Sequence, residues 1–140
     1  MTLLDKISTK RRLYVYLPLV LYWLIIFIGT SIPGGSIPSI GVSDKFKHFA
    51  AYFILTIMLS IAFSLQEKLL FIKKHVILSS LFVASSYGVI DEIHQSFIPG
   101  RSCDLYDWIA DFIGAVLGVV TYNCLFKRLK KKQSSIGTKK

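Results

Sequence analysis

Asp91-Glu92-x-His94-Gln95 closes one long apolar run of this chain, Asp104, Asp107 and Asp111 open another, and Asp44-Lys45-x-x-His48 opens a third. Six of the eight acidic residues thus stand at one edge of the hydrophobic segments. Carboxylates in or beside apolar helices are costly, so they face a bundle interior, a polar cavity or one another. Two carboxylates close in space share a proton, and with imidazoles beside them they form a set suited to general acid–base work. Lys45 and Arg101 add cations that could hold an anion, Arg101 through its planar fork.

Helical spacing decides which of these side chains can meet. Asp44, His48 and Tyr52 fall at i, i+4, i+8 on one stripe. Tyr87, Asp91 and His94 follow i, i+4, i+7, with Gln95 beside them, and Asp104, Asp107 and Asp111 follow i, i+3, i+7. The last stripe continues into Gly114 and Gly118, a small-residue spacing that lets helices pack closely in lipid. The acidic face is therefore read as pointing into a bundle. Asp91 and Glu92 are neighbours, about 100° apart around a helix, so one can face a pocket while the other reaches a loop or another helix.

Plainer roles exist for several of these residues. Asp104 and Asp44 suit helix N-termini, Lys47 suits snorkelling to an interface, and Arg101 suits a solvated turn. His75 has no acidic stripe beside it. For a metal, His48, His94, Asp91, Glu92 and Asp111 could furnish a shell, but no helix carries a standard ligand pair and Asp91-x-x-His94 alone is weak. No metal is therefore assigned from the sequence, and the cofactor is left unknown.

The elements that must position these residues are read from hydropathy. The chain has 140 residues, is 53% hydrophobic and has mean hydropathy +0.55, and its apolar residues come in blocks. Four blocks are long enough to cross a bilayer, roughly 13–32, 49–65, 76–93 and 105–126. The expected fold is all-α, a small bundle of four transmembrane helices. Its parts are a basic N-terminus (1–12), a membrane domain (13–126) and a basic tail (127–140) disordered from about Gln133. Lys10-Arg11-Arg12 before the first run resembles a signal peptide, but the run is long, aromatic and without an Ala-x-Ala site, so a first span is preferred.

The net charge of +9 does not imply nucleic acid, because fourteen of the seventeen basic residues lie before the first run, between the second and third, or after the fourth. Such short basic segments stay cytoplasmic, which puts both termini inside and the acidic edge outside, in an inner membrane. Ile32-Pro33-Gly34-Gly35-Ser36-Ile37-Pro38 breaks the chain after the first span, and Pro99-Gly100 marks the second outer turn. Cys103 and Cys124 sit at opposite ends of one expected helix, about 30 Å apart, too far for a bridge.

Asp44-Lys45-x-x-His48-Phe49-x-x-Tyr52, Asp91-Glu92-x-His94-Gln95-x-Phe97-x-Pro99-x-Arg101 and Asp104-x-x-Asp107-x-x-x-Asp111-x-x-Gly114 together resemble the VanZ-like family of small bacterial membrane proteins, over roughly residues 14–126. Such proteins often carry Asn at the position of Asp111. The resemblance implies a cell-envelope protein, and the family's namesake is associated with resistance to the glycopeptide teicoplanin.

The reading that results is an outward polar pocket for an anionic or lipid-linked envelope ligand. Lys45 and Arg101 would hold the anion, and Tyr52, Gln95, Asp107 and Asp111 would complete the binding set. His48, Asp91, Glu92 and His94 would orient the ligand or act on it, with His48 or Glu92 as base and His94 as acid. Whether the protein is an enzyme stays open. The alternatives are a small proton-coupled transporter, a membrane-embedded acid–base enzyme acting on envelope lipid, and a purely structural lock of the outer loops. A transporter would want more helices, which a homodimer through Gly114 and Gly118 would supply.

Overall fold

Apolar stretches in lipid must satisfy their backbone groups internally, which leaves helix as the conformation for each of these runs. A computed structural model gives the structure, and it describes residues 3–36 and 41–137. Among the described residues five α-helices follow one another: α1 (Leu3–Ser31), α2 (Asp44–Leu65), α3 (Leu70–Lys74), α4 (Val76–Gln95) and α5 (Leu105–Gly137). Four are long and apolar enough to cross a membrane, over Leu13–Ser31, Asp44–Leu65, Val76–Gln95 and Leu105–Phe126. No strand occurs among the described residues. Ile37 and Pro38 of the breaker cluster, and Lys139 and Lys140 of the tail, lie outside the described residues.

α2 takes in the polar turn ahead of its apolar run, as the Asp44–His48–Tyr52 stripe requires: it starts at Asp44, and Ser43 caps it by accepting the Phe46 N–H at 3.3 Å. Two segments differ from the hydropathy reading. The apolar part of the inner loop forms the short α3, with Leu70 and Phe71 exposed. α5 continues as helix to Gly137, through the lysines and the stretch for which the sequence suggested disorder from about Gln133; Lys and Arg are good helix formers.

The packing is that of a protein whose surroundings are apolar. Leu21, Ile25, Ile28, Phe82, Ile90 and Leu117 are exposed, while His48, Thr56, Ser60, Ser80, Asp91, Glu92, Gln95, Asp107 and Asp111 are buried. Thr56 and Ser60 return their hydroxyls to the carbonyls of Tyr52 and Thr56 within α2, at 2.7 and 2.8 Å. α2 and α5 form the tightest pair. A Cβ on Gly114 would overlap the Phe49 carbonyl oxygen and stand 3.1 Å from Phe53 N, and one on Gly118 would stand 2.7 Å from Phe53 O. The small-residue seam, read as pointing into the bundle and considered for a homodimer only under the transporter alternative, is filled by α2 of the same chain. α1 packs on α2 and α4, not on α5. Its Tyr22 hydroxyl donates to Ala51 O at 3.2 Å and its Tyr16 hydroxyl to Ala62 O at 3.3 Å.

At the acidic end the two turns are stapled together. Gly34 N–H donates to Pro99 O at 3.2 Å, and Gly34 lies too close to the Gly100 carbonyl for any side chain. Gly100 has φ +75°, the left-handed region that favours glycine. Cys103 and Cys124 are both free and exposed.

Candidate functional site

Three helices deliver one polar side chain each to a common point at this end. His48 comes from the second turn of α2, Glu92 from the last turn of α4 and Asp111 from the second turn of α5. His48 Nδ1 stands 3.0 Å from Asp111 Oδ1 and 3.8 Å from Glu92 Oε1. All three residues are buried, with 6%, 3% and 0% of their surface exposed. Gly88 makes the room: a Cβ there would meet Asp111 Oδ2 at 3.1 Å and Trp108 at 3.2 Å. The other Glu92 oxygen, Oε2, accepts the Asp104 N–H at 2.8 Å, so Glu92 ties α4 to the start of α5.

Asp91, one residue earlier on α4, serves a different partner. Its Oδ2 accepts from Gln95 Nε2 at 3.3 Å, and its Oδ1 has no hydrogen-bond partner. Gln95 in turn accepts from Arg101 Nη1 at 3.1 Å through its side-chain oxygen. Arg101 also donates from Nε to Ile32 O at 3.0 Å and from Nη2 to Gly29 O at 3.1 Å. A cation thereby caps the carbonyl end of α1, where the helix dipole favours positive charge. Among the described residues no carboxylate lies within ion-pair reach of Arg101.

Lys45 is the counterpart on the far side. Its Nζ lies 2.9 Å from Asp104 Oδ2 and 3.0 Å from Asp107 Oδ1, and 5.8 Å from the centre of the Tyr106 ring. This differs from the sequence reading, in which Lys45 held an external anion: Asp104, just before α5, and Asp107 in its first turn already pair with it. The Lys45 hydrogen bond, seconded by the Tyr106 N–H, holds the Asp104 carboxyl below the usual carboxylate range. Asp104 also caps α5, its Oδ1 accepting the Tyr106 N–H at 2.8 Å. Asp44 pairs with Lys47 one turn along, at 3.2 Å.

His94 is not brought into the cluster. Its ring stacks on Phe27 of α1 at 4.9 Å and 18°, and its Nδ1 has no hydrogen-bond partner. Tyr52 is 1% exposed, packs beside Tyr87 at 6.0 Å, and also leaves its hydroxyl unpartnered.

Beside the cluster lies a cavity of about 380 Å³ between α1 and α2. Tyr22, Ile25, Ile26 and Ala51 form its apolar wall, and His48, Tyr52, Asp91 and Arg101 are the polar groups that reach it, with Asp44 and Lys47 also on its lining. The contribution of α1 was not read from the sequence. Tyr22, Ile26 and Gly29 at i, i+4, i+7 give one stripe of that helix, but without a charge it is indistinguishable from ordinary packing.

Chemically, the arrangement has a buried imidazole between two carboxylates, unsatisfied oxygens on Asp91, Glu92 and Asp111, and a guanidinium on a cavity with one apolar wall. Such unsatisfied buried oxygens call for a donor, a proton or a cation. No curated protein and no solved structure matches the chain. The VanZ/LLP1 family profile matches residues 13–127, from the start of the first span to the end of the fourth. With that match over nearly all of its helical frame, the chain belongs to the VanZ/LLP1 family and is a multi-pass membrane protein.

Proposed function

We propose that the cavity between α1 and α2 receives an amphipathic envelope ligand, a phospholipid or a lipid-linked precursor, whose anionic head meets Arg101 and whose apolar part lies along Tyr22, Ile25 and Ile26. The observation that carries this reading is the pairing of an apolar wall with a guanidinium that no carboxylate among the described residues neutralises. Pockets of this kind, mostly apolar with a few convergent polar groups, are the usual form of small-molecule sites. Three of the five N–H donors of Arg101 hold neutral oxygens, which fixes the fork and leaves its charge for an anion. Asp91 would accept a hydroxyl or amine of the same head through its unpartnered Oδ1.

The excess of Lys and Arg at the opposite end supports an orientation with both termini cytoplasmic and the cavity facing outward. The experiment is mass spectrometry of lipid retained by the full-length protein purified in mild detergent. Arg101→Lys keeps the charge but loses the fork, so retained anionic amphiphile should fall while monodisperse protein is still recovered. Equal retention by both proteins would remove Arg101 from the site.

A second reading, acid–base chemistry on the bound head, is favoured by the His48–Asp111 contact at 3.0 Å, since His48 borders the cavity. Teicoplanin resistance would be a downstream property of such binding, tested by glycopeptide susceptibility with and without the Arg101 substitution.

A further inference from the structure

The cluster of His48, Glu92 and Asp111 is short of positive charge. One ring nitrogen of His48 and one carboxylate oxygen from each acid lie within 4.8 Å of one another, and all three side chains are more than nine-tenths buried. Neither nearby cation reaches them. Lys45 is held by Asp104 and Asp107, and Arg101 by Gln95 and two carbonyls of α1. Hydrogen bonding leaves the same deficit: among the described residues Glu92 Oε1, which points at the imidazole, and Asp111 Oδ2 have no hydrogen-bond partner. One imidazole proton can serve Asp111 but not both acids. Two carboxylates left buried with so little compensation carry a large desolvation cost.

We infer that His48, Glu92 and Asp111 together bind one divalent first-row transition-metal ion, of the zinc or manganese kind. Such an ion neutralises both carboxylates at once and accepts the ring nitrogen. An imidazole donor suits these metals, whereas magnesium and calcium prefer oxygen throughout. Metal–ligand bonds of about 2.1 Å put neighbouring donor atoms about 3.0 to 3.4 Å apart. The separations from His48 Nδ1, 3.0 Å to Asp111 and 3.8 Å to Glu92, are close to that range, and an oxygen of each acid lies within 4.8 Å of the other. Outer contacts that would hold the ligands are also in place. Glu92 Oε2 is fixed by the Asp104 N–H, and Asp44 and Asp107 each offer an oxygen within 4.8 Å of a His48 nitrogen. Three protein ligands leave a coordination position open, and His48 borders the cavity from which a ligand atom could fill it.

The inference stands apart from the identity of the cavity ligand and is tested without one. Full-length protein carrying Cys103→Ser and Cys124→Ser, which removes exposed thiols that would bind zinc on their own, is loaded in detergent with zinc, manganese or magnesium chloride. After desalting, metal is counted by inductively coupled plasma mass spectrometry. About one zinc or manganese per chain is expected, with magnesium lost. Asp111→Asn and Glu92→Gln, which keep size, and His48→Ala should each weaken retention more than about 100-fold, beyond the range of an outer-contact change. His75→Ala should leave it unchanged. Cobalt substitution of the parent should give a visible ligand-field band that zinc displaces. Absence of stoichiometric metal, or retention that survives all three site substitutions, overturns the inference. If a variant is not recovered folded, the parent's stoichiometry and cobalt spectrum decide the matter alone. Loss of lipid retention with metal retained would fault the cavity reading instead.

Discussion

Gly114→Ala adds one methyl group at the point where α5 crosses α2, and the structure gives its consequence. The new Cβ would overlap the Phe49 carbonyl oxygen and stand 3.1 Å from Phe53 N, both of them backbone atoms that no rotamer change can move. To restore ordinary van der Waals separation the two helices must part by roughly 1 Å. His48 immediately precedes Phe49, and Asp111 lies one turn before Gly114, so the site sits on the contact being prised open. The 3.0 Å His48–Asp111 contact then passes beyond hydrogen-bond range. Overpacking of this sort costs about 1–3 kcal/mol. Thermal unfolding in detergent, followed by intrinsic tryptophan fluorescence, should show a clear drop in midpoint together with loss of bound zinc. Gly29→Ala is the control, since a Cβ there meets nothing within 4 Å. A Gly114→Ala protein as stable as Gly29→Ala, with its metal intact, would mean that the α2–α5 seam does not set the site.

Removing Lys45 tests the clamp at the mouth of α5. The Asp104 carboxyl is held below its ordinary value of 3.8 by Lys45, so the clamp's contribution is complete above that value and is lost as pH falls through the lower folded value. The stability difference between the parent and Lys45→Met should therefore be constant near neutrality and shrink below about pH 4; a difference that grows on acidification excludes the clamp. For topology, reporter fusions at Gly35, Lys74, Gly100 and the C-terminus should read outside, inside, outside, inside, and a periplasmic signal at Lys74 would turn the cavity to the cytoplasm.

What could be read in the chain, and what could not, divides along physical lines. The four spans, the Asp104 cap and the meeting of His48 with Asp111 follow from period and spacing, because a helix fixes which side chains share a face; spacing left open which of Asp91 and Glu92 joins them, and it is Glu92 that faces His48. Partner choice does not follow from spacing. Lys45 and Arg101 both looked like anion holders, yet Lys45 meets Asp104 and Asp107 while Arg101 caps α1. Which cation meets which acid depends on helix rotation and loop path, and neither leaves a periodic mark. His94 shares a stripe with Asp91 but turns to Phe27, since α1 rather than α5 covers that side of α4. The Gly114–Gly118 spacing announces close packing without saying whether the partner is a second copy or, as here, α2. The cavity wall from α1 left no charge pattern to find.

Filling the cavity is the most direct trial of ligand binding. Gly29 lines it, and a Cβ there meets nothing within 4 Å, so Gly29→Leu adds bulk at the lining without displacing backbone. Glycine is also the poorer helix former by about 1 kcal/mol, so α1 itself should not suffer. Native mass spectrometry of the protein released from mild detergent should show a bound amphiphile on the parent and its absence on Gly29→Leu, with bound zinc unchanged. If Gly29→Leu carries the same amphiphile at the same occupancy, the cavity between α1 and α2 is not where the ligand sits.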